Sequence, residues 1–301
     1  MTAPEPAILQ RGRDASADEL RWRADWIRLK AIELAAVAGS GHYSSAFSCA
    51  ELFAALYYHV LRLDPARPDW PDRDRFLLGK GHAAIGLYPV LADLGYFPRD
   101  WLDGYARLGS PLGDHPDMRK VPGVDFSSGS IGHNLSVGTG MALAGRKQGR
   151  DYRTIVMIGD GELNEGQTWE AAMAAPRFAL GGLVAVIDAN QMCLDGYVAD
   201  IMPVEPIAAK WRAFGWQVTE IDGHDVDAIR AAFAGLPDPA SAVPTCVLAR
   251  TRKGAGVSFM DLSPWWHVGF LGPGDRARAE QEIRARMAAI EARLPGPRRS
   301  A

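Results

Sequence analysis

Residues 157–172, MIGDGELNEGQTWEAA, pass from an apolar run into a break at Gly159–Gly161 and then into an acidic, helix-forming stretch. Asp160 sits in that break just after the run TIVMI, and Asn190 follows the next apolar run, LVAVID, thirty residues further on. If the two runs are neighbouring parallel strands joined by one helix, right-handed βαβ connectivity lands Asp160 and Asn190 side by side on one sheet edge. A carboxylate, an amide oxygen and a backbone carbonyl from the following NQM form a hard oxygen set. Such a set suits Mg²⁺ or Ca²⁺ and leaves positions for phosphate oxygens. Gly159 and Gly161 let the backbone approach phosphates closely, and the amides opening the next helix can point at them. GDG alone is a common turn and Asn190 alone a common cap. Their spacing makes the pair specific.

The histidines form a second pattern. His42, His82, His115, His133 and His267 fall in glycine-rich loops, whereas His59 lies in the helical stretch LYYHVL and His224 in the turn DGHD. Imidazole at a strand or helix end can hold phosphate oxygens, donate to sugar hydroxyls and move protons near neutral pH. A single buried histidine is usually structural. Five in loops fit a site for a hydroxylated, ionic ligand better than five unrelated accidents.

These residues need a scaffold. From residue 153 the β-rich runs TIVMI, LVAVID, WQVTEI and TCVLAR alternate with the helix-like EGQTWEAAMAAPRFA, PIAAKWRAFG and DAIRAAFAG. The alternation predicts an α/β fold, a parallel sheet flanked by helices, with its ligand at the carboxyl ends of the strands. Arg276–Arg293 reads as a last helix closed by LPGP. Upstream, Ser16 and Glu19 form a capping box ahead of LRWRADWIRLKAIELAAVAG. A second box, Ser48 and Glu51, is expected to open a helix through LFAALYYHVLRL, leaving GSGHYSS as a loop pinned between two helix ends. Residues 1–16 carry prolines and charges without periodicity. The expected organisation is a flexible N-terminus over 1–16 and one domain over 17–301, without repeats or linkers.

Lys plus Arg number 33 against 36 Asp plus Glu, so there is no basic excess for nucleic acid and no polybasic segment for a lipid surface. A small-molecule task is favoured. Cys49, Cys193 and Cys246 are far apart and odd in number, which fits reduced thiols rather than a zinc site or a disulfide framework. No apolar run approaches the ~18 residues of a membrane span. The opening MTAPEPAILQRGRDAS lacks the apolar core of a secretory signal, so the expected localisation is cytoplasmic.

At these residues the sequence resembles a known family. GDGELNEGQTWEAAMAAPRFALGGLVAVIDANQ is similar to the thiamine diphosphate motif of transketolases. GHYSS, DRFLLGKGHAAIGLY, LGSPLGDHPD, GVDFSSGSIGHNLSVGTGMALA, and RKGAGVSFM with the later WWH resemble further transketolase segments in family order. The likeness covers roughly residues 20 to 270 and matches only the amino-terminal half of such an enzyme, the diphosphate-binding domain. It implies the thiamin diphosphate-binding fold, with thiamine diphosphate and Mg²⁺ or Ca²⁺ as cofactors and Asp160, Asn190 and the Met192 carbonyl as metal ligands. Gly159, Gly161 and Glu162 belong to the same cofactor motif. His42 and His267 correspond to histidines lining the reacting hydroxyl and carbonyl of the ketose, with His267 and His82 also reaching the diphosphate. His115 corresponds to one that binds the terminal hydroxyl of the ketose. Glu165 matches a glutamate whose acidic network runs between subunits, and equally reads as a charge at a helix N-terminus. In SSGSIG, Gly129 and Ile131 match positions that pack against the aminopyrimidine, with Ser130 between them.

The resemblance further implies transfer of a two-carbon ketol unit from a phosphorylated or otherwise anionic ketose to an aldose, with His42 and His267 moving protons. The pyrimidine-binding and carboxyl-terminal domains, including a glutamate that touches the pyrimidine, are absent. They would come from a C-terminal partner subunit in an α2β2 assembly, and this chain alone would be inactive. Three places depart from the pattern: His133 and Asn134 stand where glutamine and glycine are usual, VGFLGPGD follows His267, and GSPLGDHPD carries proline where arginine is common. Two rival readings stay open: the α subunit of a 2-oxoacid dehydrogenase first component, and a catalytically silent thiamine diphosphate-binding subunit. The loop histidines favour a polyhydroxylated ligand over a 2-oxoacid.

Overall fold

The computed structural model describes residues 15–294. Apart from Ala15 and Ser16, the expected flexible segment over 1–16 lies outside the described residues. Ser16 caps α1 (Ala17–Ala38): its Oγ accepts from the Glu19 amide at 3.1 Å, and the helix stops at Gly39, φ 83°.

The second expected capping box does not form. α2 (Tyr43–Ser48) and α3 (Ala50–Ala55) are split by a turn at Cys49, and a π-helical turn follows at Leu56–Val60. Ser48 Oγ donates to Asp188 Oδ2 at 2.7 Å, while both Glu51 oxygens accept from Arg28 Nη2 at 2.6 and 2.7 Å. Both side chains are buried, and leaving Asp188 or Arg28 without them would cost more than a lost cap. The loop ahead of α2 is thereby shortened to residues 39–42.

The chain continues through β1 (Arg75–Leu78), α4 (Ala84–Leu94), α5 (His133–Lys147), β2 (Thr154–Gly159), α6 (Gly166–Arg177) and β3 (Leu183–Ala189). It closes through α7 (Val198–Ile201), α8 (Ile207–Ala213), β4 (Gln217–Asp222), α9 (Val226–Ala234), β5 (Thr245–Arg250) and α10 (Pro273–Glu291). The strands form one parallel five-stranded sheet in the order β1-β2-β3-β5-β4. Four of its strands match the runs legible in the sequence, and β1 is an addition at one edge.

The central strands are continuous apolar runs because both faces of the sheet are covered. Ile155, Met157, Val184, Val186 and Val247 face a core shared with α1, α3 and α4. Val156, Ile158, Ala185, Ile187 and Leu248 face a second core under α5, α6 and α8. Helix α5 lies close against β2: a Cβ on Gly138 would stand 2.4 Å from Val156 Cγ2. The Gly138→Ala variant is therefore expected to lose about 1–3 kcal/mol of stability through overpacking. Urea unfolding should show a lower midpoint with an unchanged slope, and an unchanged midpoint would contradict this packing.

Candidate active site

The site lies where β2 and β3 end. These strands pair with Gly159 opposite Asp188, and the Asp160 amide donates to the Asp188 carbonyl at 3.2 Å. Asp160 Oδ1 accepts from the Gly161 amide at 3.0 Å and Oδ2 from the Gln191 amide at 2.7 Å, so one carboxylate stitches the two strand tips together. Beside it, Asn190 Oδ1 accepts from the Met192 amide at 3.2 Å, and Nδ2 donates to Ser48 and Asp188. Asp160, Asn190 and Met192 line one cavity of about 290 Å³, together with Gly159, Gly161, Glu162 and Ile131.

Buried charges surround these tips. Lys80, after β1, pairs with Asp188 Oδ2 and donates to the Ser45 carbonyl at 2.8 Å and to Ser48 Oγ at 3.2 Å. Burial alone would raise the Asp188 carboxyl, but Lys80 and the hydroxyls of Thr251 and Ser48 outweigh it and keep the group ionised. Among the described residues Asp160 makes no ion pair. Burial, followed by the neighbouring Asp188 charge, pushes its pKa up to about 7. Glu162 is raised to about 7 by burial, although it accepts from the Gly132 and Gly159 amides at 2.8 and 3.4 Å. A Cβ on Gly79 would come within 2.7 Å of the Glu162 oxygens, which is why that strand end needs glycine.

This donor set fits a divalent cation bound with an anionic ligand. Asp160 is a buried carboxylate without a cationic partner at its side, and Asn190 and the backbone at Met192 add neutral oxygens. Among the described residues no group of three or more His, Cys, Asp or Glu side chains could hold an ion by itself. A cation held here would take its remaining oxygens from its ligand or from water. Ser45 Oγ is buried without a hydrogen-bond partner among the described residues and lines the same cavity, leaving a hydroxyl for a ligand.

Four histidines cluster beside this cavity, and two of them, His82 and His267, line it. The ring of His42 lies 5.3 Å from His82, 6.1 Å from His115 and 5.4 Å from His267. An antiparallel bridge between Gly41 and Gly269 ties the segment carrying His42 to the one carrying His267. Burial and then the Lys253 charge lower the His267 pKa to about 3, and burial with Lys80 drives His82 well below its ordinary value. Both rings are neutral hydrogen-bonding groups at neutral pH. Lys253, itself lowered to about 8 by burial and Lys80, faces His267 Nδ1 and donates to the Cys193 carbonyl at 3.1 Å.

Residues 21–281 match the family described as transketolase, thiamine diphosphate binding domain. The chain belongs to the transketolase family. It is 43% identical over 243 residues to a 6-deoxy-6-sulfo-D-fructose transketolase subunit of Clostridium sp. MSTE9, covering 81% of this chain and 88% of that one. It is 40% identical over 253 residues to an apulose-4-phosphate transketolase subunit of Actinobacillus succinogenes, covering 84% and 91%. Among solved structures, transketolase from Leishmania mexicana superposes with a TM-score of 0.82 at 27% identity, over 93% of this chain and 45% of that chain. The chain thus spans nearly the length of the separate subunits and under half of the one-chain enzymes.

In this member of the family the residues anticipated for the metal and diphosphate share one cavity, and His82, His267 and Ile131 join them. His115 stands beside Gly129, where a Cβ would lie 3.7 Å from its ring, and Ser130 is exposed next to it. Glu165 sits at the N-cap of α6, its side chain packed against Gly132. His133 opens α5, exposed, and makes no ring contact with the other four among the described residues. His224 is structural, with Nδ1 3.2 Å from Glu51 Oε2. Sequence reasoning missed Lys80, Asp188 and Lys253. The signals were a lysine between two glycines in GKGH and an aspartate ending an otherwise apolar strand.

The raised carboxyls set a pH dependence. Folded Asp160 and Glu162 hold protons up to about pH 7, whereas in the unfolded chain they lose them near 4. At these two sites the folded state then binds more protons between those values, so their contribution to stability falls as pH rises from about 4.5 to about 7, while His82 and His267, held neutral in the fold, contribute an opposite slope below about 6.5. Urea midpoints measured from pH 5 to 8 for the unaltered chain and the Asp160→Asn, Glu162→Gln double variant isolate this contribution: the variant's midpoints should rise with pH relative to those of the unaltered chain. An equal slope in the variant would contradict the assignment.

Proposed function

We propose that this chain is the N-terminal subunit of a split transketolase, moving a two-carbon ketol unit from an anionic ketose to an aldose. The single observation that supports this most strongly is one cavity lined by the strand-tip pair Asp160 and Asn190 together with His82 and His267, the two histidines that join it to the cluster with His42 and His115. Asp160, Asn190 and the Met192 carbonyl hold Mg²⁺ or Ca²⁺, and the cation together with His82 and His267 holds the diphosphate of thiamine diphosphate. When bound, thiamine diphosphate supplies the electron sink for cleaving the bond beside the ketose carbonyl.

The chain's own groups bind and move protons. Neutral His267 hydrogen-bonds the ketose oxygen, His42 exchanges a proton with the adjacent hydroxyl, and His115 takes a hydroxyl farther along the sugar. Ile131 packs against the cofactor rings, with Gly129 and Ser130 shaping that wall. Glu165, at the head of α6, belongs to the subunit contact. An anionic ketose is supported by the named relatives, whose substrates carry a sulfonate or a phosphate.

The partner carries the remaining half of the site, in a cytoplasmic α2β2 assembly. Trp265 and Phe270, 88% and 69% exposed, flank His267, and Leu194 at the cavity is 57% exposed. Such large apolar side chains around a catalytic cavity fit an obligate interface of ~2,000 Å² or more. Ketol transfer from a phosphorylated or sulfonated ketose should therefore be measured for the chain alone and after mixing with the subunit encoded beside it. Turnover only in the mixture is expected. Turnover by the isolated chain would overturn the split-enzyme reading.

A further inference from the structure

His42 and His115 meet at Asp114. Its Oδ2 lies 3.1 Å from His42 Nδ1 and 3.3 Å from His115 Nδ1, and its Oδ1 lies 3.3 Å from His42 Nδ1. Two fully buried tyrosines hold this carboxylate in place. Tyr105 donates its hydroxyl to Asp114 Oδ1 at 3.0 Å, and Tyr88 of α4 donates to the Gly113 carbonyl at 2.9 Å. The same loop is closed by the Ala106 amide donating to the Leu112 carbonyl at 2.8 Å. Burial works to raise the Asp114 carboxyl, but the hydrogen bonds and charges of His42, Tyr105 and His115 outweigh it and keep the group ionised.

An ionised carboxylate accepts hydrogen bonds and donates none. Its place at His42 Nδ1 therefore puts the ring proton on that nitrogen, and a neutral His42 carries its lone pair on Nε2 at the opposite edge. The neighbouring ring has the reverse polarity. The Lys253 ammonium, which has only donors, faces His267 Nδ1, so a neutral His267 keeps its proton on Nε2. The two rings lie edge to face, 5.4 Å apart at 87°.

We propose that Asp114 is a positioning residue that fixes neutral His42 with its proton on Nδ1, making Nε2 the proton acceptor of the histidine cluster. The catalytic consequence rests on the transketolase reading. The O–H bond of the ketose hydroxyl breaks, its electron pair stays on oxygen, and the proton forms an N–H bond at His42 Nε2. Asp114 offsets the imidazolium charge until the proton is returned. His267, of opposite tautomer, donates to the neighbouring oxygen and does not compete for that proton.

Long-range proton–nitrogen correlation spectra of the full ¹⁵N-labelled chain, taken where the rings are neutral, read the tautomer without any turnover. His224 is an internal reference, because its Nδ1 faces Glu51 and its Nε2 accepts from the Arg252 amide at 3.0 Å. His42 is expected to show the Nδ1–H pattern in the unaltered chain and to lose it in Asp114→Ala, while His224 keeps its pattern and so reports a folded chain. In the assembly with its partner, Asp114→Ala should lower kcat by about tenfold or more, with KM for the ketose changed less than about threefold. An Nε2–H His42 in the unaltered chain overturns the proposal whatever the variants do, as does an Asp114→Ala variant with unchanged tautomer and kcat. An assembly that shows the Nδ1–H pattern but no ketol transfer would support the tautomer assignment and overturn the functional reading.

Discussion

Everything at this site depends on two parallel strand ends held one hydrogen bond apart. The Asp160 amide reaches back to the Asp188 carbonyl, and the Asp160 carboxylate reaches across to the Gln191 amide. Gln191 adopts φ 73°, so the chain turns sharply after β3 and brings Asn190 and Met192 to face Asp160. The parallel register of β2 and β3 sets this geometry before any side chain is chosen. The side chains then line a generic strand-tip crevice of an α/β sheet with a buried carboxylate and amide, the place proposed for a cation and its anion.

That conversion leaves an electrostatic imbalance in the free chain. Three carboxyl groups, Asp160, Glu162 and Asp188, are buried within a few residues of two strand ends, and Lys80 pairs directly with Asp188. Glu162 is steadied by backbone amides, whereas Asp160 is left without a cation. In the proposed reading a divalent ion would favour the ionised Asp160 and carry the anionic group of the ligand. At the far end, burial and Lys253 keep His267 neutral, while a fixed carboxylate stands at His42. The site thus has buried carboxyls and Lys80 at the strand tips and neutral rings beside an ionised carboxylate at the histidines.

The legible parts of the sequence were those where one physical requirement acts alone. β2, β3 and β5 stand out because strands covered on both faces must be apolar, β4 stands out as a half-exposed edge strand of alternating apolar and polar residues, and Asp160 and Asn190 stand out because they follow such runs. β1 is only four residues long, with an arginine at its start, so its sequence carries too little periodicity to mark a strand. Ser48 and Glu51 have the spacing of a helix cap, yet their side chains are drawn inward to Asp188 and Arg28, a demand set by residues far along the chain. Lys80 and Asp188 escaped for the same reason: a buried ion pair across 108 positions leaves no local trace. The histidines were recognisable as a group, but only the fold separates the four that converge from His133.

The most direct test is the affinity of thiamine diphosphate for the reconstituted assembly, measured by titration with and without Mg²⁺ and compared with the Asp160→Ala assembly. Binding is expected to need the cation and to weaken by about a hundredfold or more when Asp160 is removed. Binding of equal strength without the cation, or in the Asp160→Ala assembly, would contradict a strand-tip metal site that carries the diphosphate.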